Sequence, residues 1–146
     1  MSEMEARIEG IRARIESAMR NAHRDDTITL MGVSKNHTYQ EVLEAFIHNV
    51  TLFGENKVQE LSEKFPLEHE PLILHMIGHL QSNKVKKVIP YVSSIDSVDS
   101  LKLSRLIQKE AQKIDKPMEI LLEINTSNED AKSGFQDINQ VYQLLD

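Results

Sequence analysis

The chain has 146 residues, of which 40% are apolar and 27% are charged, and these proportions suit one folded domain rather than a disordered chain. Its formal net charge of −6 argues against a broad nucleic-acid surface, because a phosphate-binding face needs a surplus of Lys and Arg. The lack of cysteine excludes disulfides, thiolate zinc sites and cysteine nucleophiles, and no segment approaches the roughly twenty apolar residues that span a bilayer. We therefore expect residues 1–146 to form a single domain in a reducing cytoplasm.

The amino-terminal segment predicts an amphipathic helix. Apolar residues recur three or four positions apart from Met4 to Ala22, which places them on one stripe of the helix. Ser2 and Glu5 have the spacing of a capping box, which would hold the first turn. We expect the stripe to pack against a core.

Five strand-helix units are predicted to follow this helix. Their strands are expected at 27–33, 50–53, 72–77, 91–95 and 118–124. Thr38 and Glu41 form a second capping box, and Asp99 and Asp137 can cap the helices after the fourth and fifth strands. Strands that alternate with helices predict an α/β protein with a parallel sheet and helices outside it.

The repeat length leaves the arrangement of that sheet open. Strand starts recur about 20 to 27 residues apart, compared with roughly 30 residues per unit in a typical β/α barrel. An open, doubly wound sheet gives a similar pattern, although no glycine-rich dinucleotide or Walker loop follows a strand. The chain ends inside a predicted helix after five units, so if it is a barrel we expect it to be the front part of a longer one.

Polar residues follow each predicted strand. They are Lys35, Glu55-Asn56, the segment 75–79, Asp96-Ser97 and Asn125-Thr126. The carboxyl ends of parallel strands meet at one edge of the sheet, so we expect these groups to converge there. An amine partly removed from water at such a site favours its neutral form and can attack an aldehyde. Lys35 is the best placed lysine for this role, although most lysines are simply solvated.

Four motifs around these positions occur in order along the chain. They are 32–35 (GVSK), 53–60 (FGENKVQE), 75–84 (HMIGHLQSNK) and 124–127 (INTS), the last followed by 132–134 (KSG). Together they resemble the pyridoxal phosphate (PLP) homeostasis protein family. That family includes the proline synthase co-transcribed homologues and is similar to the amino-terminal barrel of alanine racemase.

The resemblance implies a cytoplasmic parallel β/α barrel of the TIM-barrel type, of which this chain holds the first five or so units. It implies PLP bound covalently as an aldimine on Lys35. Asn56 and the Ile77-Gly78 turn match positions that line the family's cofactor pocket, and Asn125 is carried over with them. Family members are regarded as carriers or regulators of the PLP pool with no established catalysis, which suggests apo PLP-dependent enzymes as partners.

The chain departs from the family pattern in two places. His37 stands where relatives commonly have another lysine. The family's phosphate cup and ring-nitrogen arginine come from a serine- and glycine-rich segment near the end of the barrel, beyond Asp146. Because the dianionic phosphate of PLP normally relies on backbone amides and helix termini, we expect weak retention of the cofactor.

The remaining polar residues give weaker indications of a binding site. His75 and His79 flank a strand end rather than sharing a helix face, so we expect structural or solvated histidines and no metal. The lysines at 84, 86 and 87 fit a solvated helix face, since the chain is acidic overall. Lys132, in the KSG motif, is a candidate for a transient second PLP site.

Two rival functions remain beside the PLP carrier. The first is a racemase-like PLP enzyme. PLP supplies an electron sink but the protein must supply acid and base, and racemases of related fold take a tyrosine from an additional domain for which this chain has no room. The second is a scaffold or interaction protein that no longer retains PLP. Its motivation is that the first and fifth strands would have unpaired edges, from which we expect self-association.

Overall fold

The structure is a computed structural model that describes residues 2–127, 129 and 132–144. The elements in chain order are α1 (Glu3–Asn21), β1 (Met31–Val33), α2 (Tyr39–Ile47), β2 (Leu52–Glu55), α3 (Val58–Lys64), β3 (Ile73–Met76), a 3₁₀ turn (Ser82–Lys84), α4 (Val85–Val88), β4 (Ser94–Val98), α5 (Leu101–Gln112), β5 (Glu119–Leu122) and α6 (Ile138–Tyr142). The five predicted strand-helix units are all present.

The strands form one parallel sheet in the order β1-β2-β3-β4-β5. A sheet whose spatial order equals its chain order winds in one direction, as in a β/α barrel, whereas a doubly wound sheet reverses its order. The topology therefore favours the barrel arrangement over the doubly wound one. Within the described residues β1 and β5 each pair with one neighbour, so the sheet is open.

The two faces of the sheet are covered differently. Phe53, Leu74 and Met76 share the face that packs under the helices, and each is at most 2% exposed. Ile73 and Leu121 lie on the opposite face and are 44% and 59% exposed. We call this second surface the helix-free face, and in a closed barrel it would face inward.

Three of the four helix caps expected from the sequence are confirmed. Ser2 and Thr38 each form a full capping box, and Asp137 caps α6. A cap of this kind is worth about 1 kcal/mol. The expected cap at Asp99 is wrong, because Ser100 caps α5.

Strand bounds differ most from the prediction at β1 and β4. The expected strand at 27–33 is paired only over Met31–Val33, which lie opposite Leu52, Phe53 and Gly54, and residues 27–30 lie before the first residue of β2 in this register. The expected strand at 91–95 lies three residues later, at Ser94–Val98. Its polar residues Asp96 and Ser97 do not interrupt it, because each has a hydrogen-bond partner on or after β3.

The apolar stripe of α1 packs less completely than expected. Ile8 is 8% exposed, but Ile11 on the same stripe is 42% exposed. Met4 is partly buried against the core, so the first half of α1 makes the main contact. Of the helices in the described part of the chain, none combines the length and apolarity needed to cross a bilayer.

Candidate functional site

Lys35 lies directly after β1, at the carboxyl end of the sheet. The Ser34 N–H continues the strand ladder by donating to the Gly54 carbonyl at 3.1 Å, and the buried Ser34 hydroxyl donates to Glu55 Oε1 at 2.7 Å. Lys35 is the first residue of the turn that follows Ser34. Lys35 is exposed. The partial removal from water that we expected for its amine is therefore not seen among the described residues.

A buried ionic cluster supports the backbone beside Lys35. The Lys64 ammonium donates to the Ser34 carbonyl at 2.5 Å, to Glu55 Oε1 at 2.5 Å and to Glu60 Oε1 at 3.0 Å. An ammonium has three N–H donors, so all three are used. The side chains of Lys64 and Glu55 are 7% and 0% exposed. We call Glu55, Glu60 and Lys64 the Lys64 network.

The same network holds the residue on the other side of Lys35. The Asn36 N–H donates to Glu60 Oε1 at 2.5 Å. Asn36 has a φ of 64°, in the left-handed region that asparagine tolerates better than most residues. Burial of the Glu60 carboxylate would raise its pKa, but hydrogen bonds from Asn36 and Lys64 outweigh it, so the pKa lies below its ordinary value.

The loop after β3 is in direct contact with the end of β2, with the loop after β2 and with β4. The Ile77 N–H donates to the Glu55 carbonyl at 2.9 Å, and the Ser97 hydroxyl donates to the Gly78 carbonyl at 2.6 Å. A Cβ atom at Gly78 would lie 2.2 Å from the Asn56 carbonyl oxygen, so only glycine fits there. The structure thus brings Asn56, Ile77 and Gly78 together, as their strand-end positions suggested.

Asn125 is held within its own loop. It is 8% exposed, and its amide nitrogen donates to the carbonyls of Glu129 and Lys132 at 3.0 and 3.4 Å. Its amide oxygen accepts from the Ser127 N–H at 3.2 Å. These contacts shape the loop after β5 and leave the Asn125 amide engaged.

A second polar cluster lies on the helix-free face and was not foreseen. His75 and Ser94 are register partners on β3 and β4, and both bond Asp96. His75 Nδ1 lies 3.0 Å from Asp96 Oδ2, and the Ser94 hydroxyl donates to Asp96 Oδ1 at 2.5 Å. This ladder of polar groups would have been visible only from the strand register.

The remaining sequence candidates occupy the surface. His79 Nδ1 lies 3.3 Å from Asp99 Oδ2, while Lys132 is exposed and pairs with Glu129 at 2.9 Å. Lys84, Lys86 and Lys87 are exposed, as expected. Within the described ranges, no group of three or more His, Cys, Asp or Glu side chains is placed to hold a metal ion.

The larger cavities lie away from Lys35. One of about 680 Å³ is lined by α5 and β5, and one of about 830 Å³ lies around Pro71 and Tyr91. A cleft of about 320 Å³ lies at the carboxyl end of the sheet, beside Asn56 and His79. We regard the chemistry of the strand ends as a better guide to the site than cavity size, because an open sheet leaves its helix-free face unenclosed.

Sequence reasoning missed the Lys64 network. Glu60 and Lys64 have the i,i+4 spacing of a helical ion pair, with the acid nearer the amino end. That spacing was a usable signal. The contacts to Ser34 and Asn36 were not, because those residues lie 30 and 24 positions away.

Comparison with known proteins identifies the family. Residues 7–146 match the family described as "Alanine racemase, N-terminal domain". The chain belongs to this family. The resemblance drawn from the four motifs is confirmed by this match and by the relatives that follow.

Several relatives of this racemase-domain family are named pyridoxal phosphate homeostasis protein. The one from Pasteurella multocida is 35% identical over 137 residues, which cover 91% of this chain and 59% of that protein. The one from Mus musculus is 40% identical over 117 residues, which cover 72% of this chain and 42% of that protein. The chain therefore spans about three fifths or less of the length of these relatives.

Solved structures show the same fold. PipY of Synechococcus elongatus without PLP has a TM-score of 0.84 and 26% identity, covering 98% of this chain and 63% of PipY. PipY with PLP bound has a TM-score of 0.77 and 25% identity, covering 98% of this chain and 62% of PipY.

Proposed function

We propose that this chain binds PLP through Lys35 and serves PLP homeostasis as a carrier or buffer, without catalysis of its own. The relatives named pyridoxal phosphate homeostasis protein and the PLP-bound structure of PipY support this proposal. The observation that carries it is local. Lys35 is an exposed amine at the carboxyl end of β1, and the backbone of both its neighbours is anchored.

The residues present fit the aldehyde end of PLP. The Lys35 amine is accessible, and its condensation with an aldehyde forms one C=N bond and releases one water molecule. When bound, PLP supplies an electron sink. A carrier uses only the reversible attachment, so the chain needs no acid or base placed to act on an amino acid.

We propose Asn56, Ile77 and Gly78 as one wall of the cofactor site. Their loops are tied to each other and to the strand next to β1. The close approach of Gly78 to Asn56 keeps this wall free of a further side chain. For Asn125 we propose a shaping role in the loop after β5, because its amide bonds its own loop.

We expect PLP to be held weakly by this chain alone. None of the assigned residues forms a phosphate cup, and PLP binding normally relies on backbone amides or a helix terminus at that group. Weak, reversible attachment suits a buffer that passes PLP to apo enzymes. Cytoplasmic location and self-association through the open sheet edges stay predictions beside this one.

Titration with PLP tests the proposal. Wild type should develop the visible absorbance of a lysine Schiff base, and Lys35→Ala should lose it. Lys86→Ala, which removes another exposed lysine, should behave as wild type. Equal absorbance in wild type and Lys35→Ala would overturn the proposal. Turnover of an amino acid that disappears in Lys35→Ala would instead favour the racemase-like enzyme.

A further inference from the structure

We propose that Lys64 is a positioning residue for Lys35. With Glu55 and Glu60 it fixes the backbone on both sides of Lys35 and so presents the Lys35 amine to PLP. The inference rests on the proposed function and adds to it the device that holds the attachment point.

Three hydrogen bonds anchor the chain on either side of Lys35. The Ser34 carbonyl accepts from Lys64, and the Ser34 hydroxyl donates to Glu55. The Asn36 N–H donates to Glu60. Lys35 itself makes none of these contacts, and the Cα atom from which its side chain projects lies between two anchored neighbours.

Two charged side chains of the Lys64 network are buried. Lys64 and Glu55 are 7% and 0% exposed, whereas Lys113 in its pair with Glu110 is 53% exposed. Removing charges from water is costly, and an apolar pair of similar size often stabilises a fold equally well. A buried pair placed against the backbone of a proposed binding residue therefore points to conformational specificity.

One buried oxygen of the Lys64 network lacks a hydrogen bond among the described residues. Glu55 Oε2 is buried and has no hydrogen-bond partner among the described residues. Buried polar atoms are bonded in the great majority of cases, so an exception needs a reason beyond stability. Glu55 Oε1 is held by both Ser34 and Lys64, and these two bonds fix the carboxylate toward the turn.

The turn beside Lys35 contains a residue in the left-handed backbone region. Asn36 adopts a left-handed φ of 64°, which is less favourable than ordinary backbone conformations. The Glu60 contact holds this conformation from outside the turn. Lys64 itself does not compete for an aldehyde, because it is buried and all three of its N–H donors are used.

The test uses Glu60→Ala and the double variant Lys64→Met with Glu55→Gln, which removes both members of the most deeply buried pair together. The controls are Glu63→Ala, an exposed glutamate on the same helix, and Lys113→Met. PLP affinity is measured by visible absorbance. After borohydride reduction, the modified lysine is located by peptide mass spectrometry.

We expect both network variants to bind PLP at Lys35 roughly tenfold more weakly, because small displacements of a reacting group have large effects. Their label should also spread to other exposed lysines. The controls should match wild type. Lys64→Arg keeps the positive charge, so this variant should retain most of the PLP affinity of wild type.

Outcomes separate this inference from the proposed function. Wild type without label on Lys35 overturns both. Wild type labelled on Lys35, with folded Glu60→Ala labelled there at equal affinity, overturns only the positioning role. If the double variant does not fold by circular dichroism, Glu60→Ala decides alone, since the Glu60 side chain is 25% exposed.

Discussion

The Asn36 N–H donates a 2.5 Å hydrogen bond to Glu60 Oε1, which joins the turn after β1 to α3 across 24 positions. The same oxygen accepts from Lys64 at 3.0 Å. One carboxylate therefore links the backbone next to Lys35 to a buried cation, and its protonation should weaken both contacts.

The pH dependence of stability should report on this carboxylate. Burial would raise the pKa of Glu60, but the Asn36 and Lys64 hydrogen bonds lower it below its ordinary 4.5. A group with a lowered pKa in the folded state stabilises the fold above its unfolded pKa and loses that contribution as the pH falls through the folded value. The free energy of unfolding should thus decrease as the pH is lowered beyond 4.5, the ordinary pKa of a glutamate.

Urea unfolding of wild type and Glu60→Gln at several acidic pH values checks this. Glu41, whose pKa is lowered to about 2 by hydrogen bonds from Thr38 and His37, contributes to both proteins equally. The difference between them isolates Glu60, and Glu60→Gln should lose less stability on acidification. Parallel pH curves for the two proteins would count against the ionised Glu60 contact.

Removal of the buried cation alone should be severe. Lys64→Met leaves Glu55 buried without its ion pair, and such changes cost about 3 to 5 kcal/mol. Adding Glu55→Gln should restore a large part of that loss. Denaturant unfolding measures both, with Lys113→Met as a surface control expected to change stability by less than about 1 kcal/mol. An equal loss in the single and double variants would show that the cost is packing and not charge.

Two glycines offer opposite predictions for the same substitution. Gly78→Ala places a Cβ atom 2.2 Å from the Asn56 carbonyl oxygen, so it should lower stability and displace the loop after β3. Gly10→Ala, in α1, meets no atom within 4 Å and should stabilise the helix by up to about 1 kcal/mol. Thermal unfolding compares them. Similar midpoints would mean that the Gly78 contact relaxes without cost.

Local patterns were enough to predict much of this fold. The capping boxes at Ser2 and Thr38 involve residues three positions apart, and alternation of apolar runs with helical periods gave the five units. The bounds of β4 were missed because Asp96 looks like a loop residue until its partner His75 is known. Periodicity could not choose between barrel and doubly wound sheets, because both repeat the same unit.

Part of the candidate site, like part of the fold, could be predicted from local sequence. The position of Lys35 after a strand and the four motifs were readable in the sequence. Its exposure was not, since exposure depends on how distant parts of the chain pack around the turn. The Lys64 network was hidden for a related reason, as its contacts to Ser34 and Asn36 depend on how α3 packs beside β1.

Self-association through the β5 edge is a further prediction. Leu121 on β5 is 59% exposed, and the edge of β5 that faces away from β4 has no strand partner among the described residues, although Ile124 just beyond it bridges Phe135. Unpaired edges with exposed apolar side chains favour pairing with another copy of the chain. Light scattering should give a mass above that of one chain for wild type.

Leu121→Lys should shift this mass toward the monomer, because a charge on the edge opposes pairing. Ile47→Lys is the matched control, since Ile47 is 74% exposed and lies on α2, in the connection between β1 and β2. A rigid monomer in wild type, or an equal effect of both variants, would contradict the prediction.

The attachment point of PLP is tested most directly by trapping it. Wild type is incubated with PLP, reduced with borohydride and digested, and the modified lysine is located by mass spectrometry. We expect the label to lie mainly on Lys35 and to be lost in Lys35→Arg, with Lys132 carrying little. A label spread evenly over the exposed lysines, or unchanged in amount in Lys35→Arg, would contradict it.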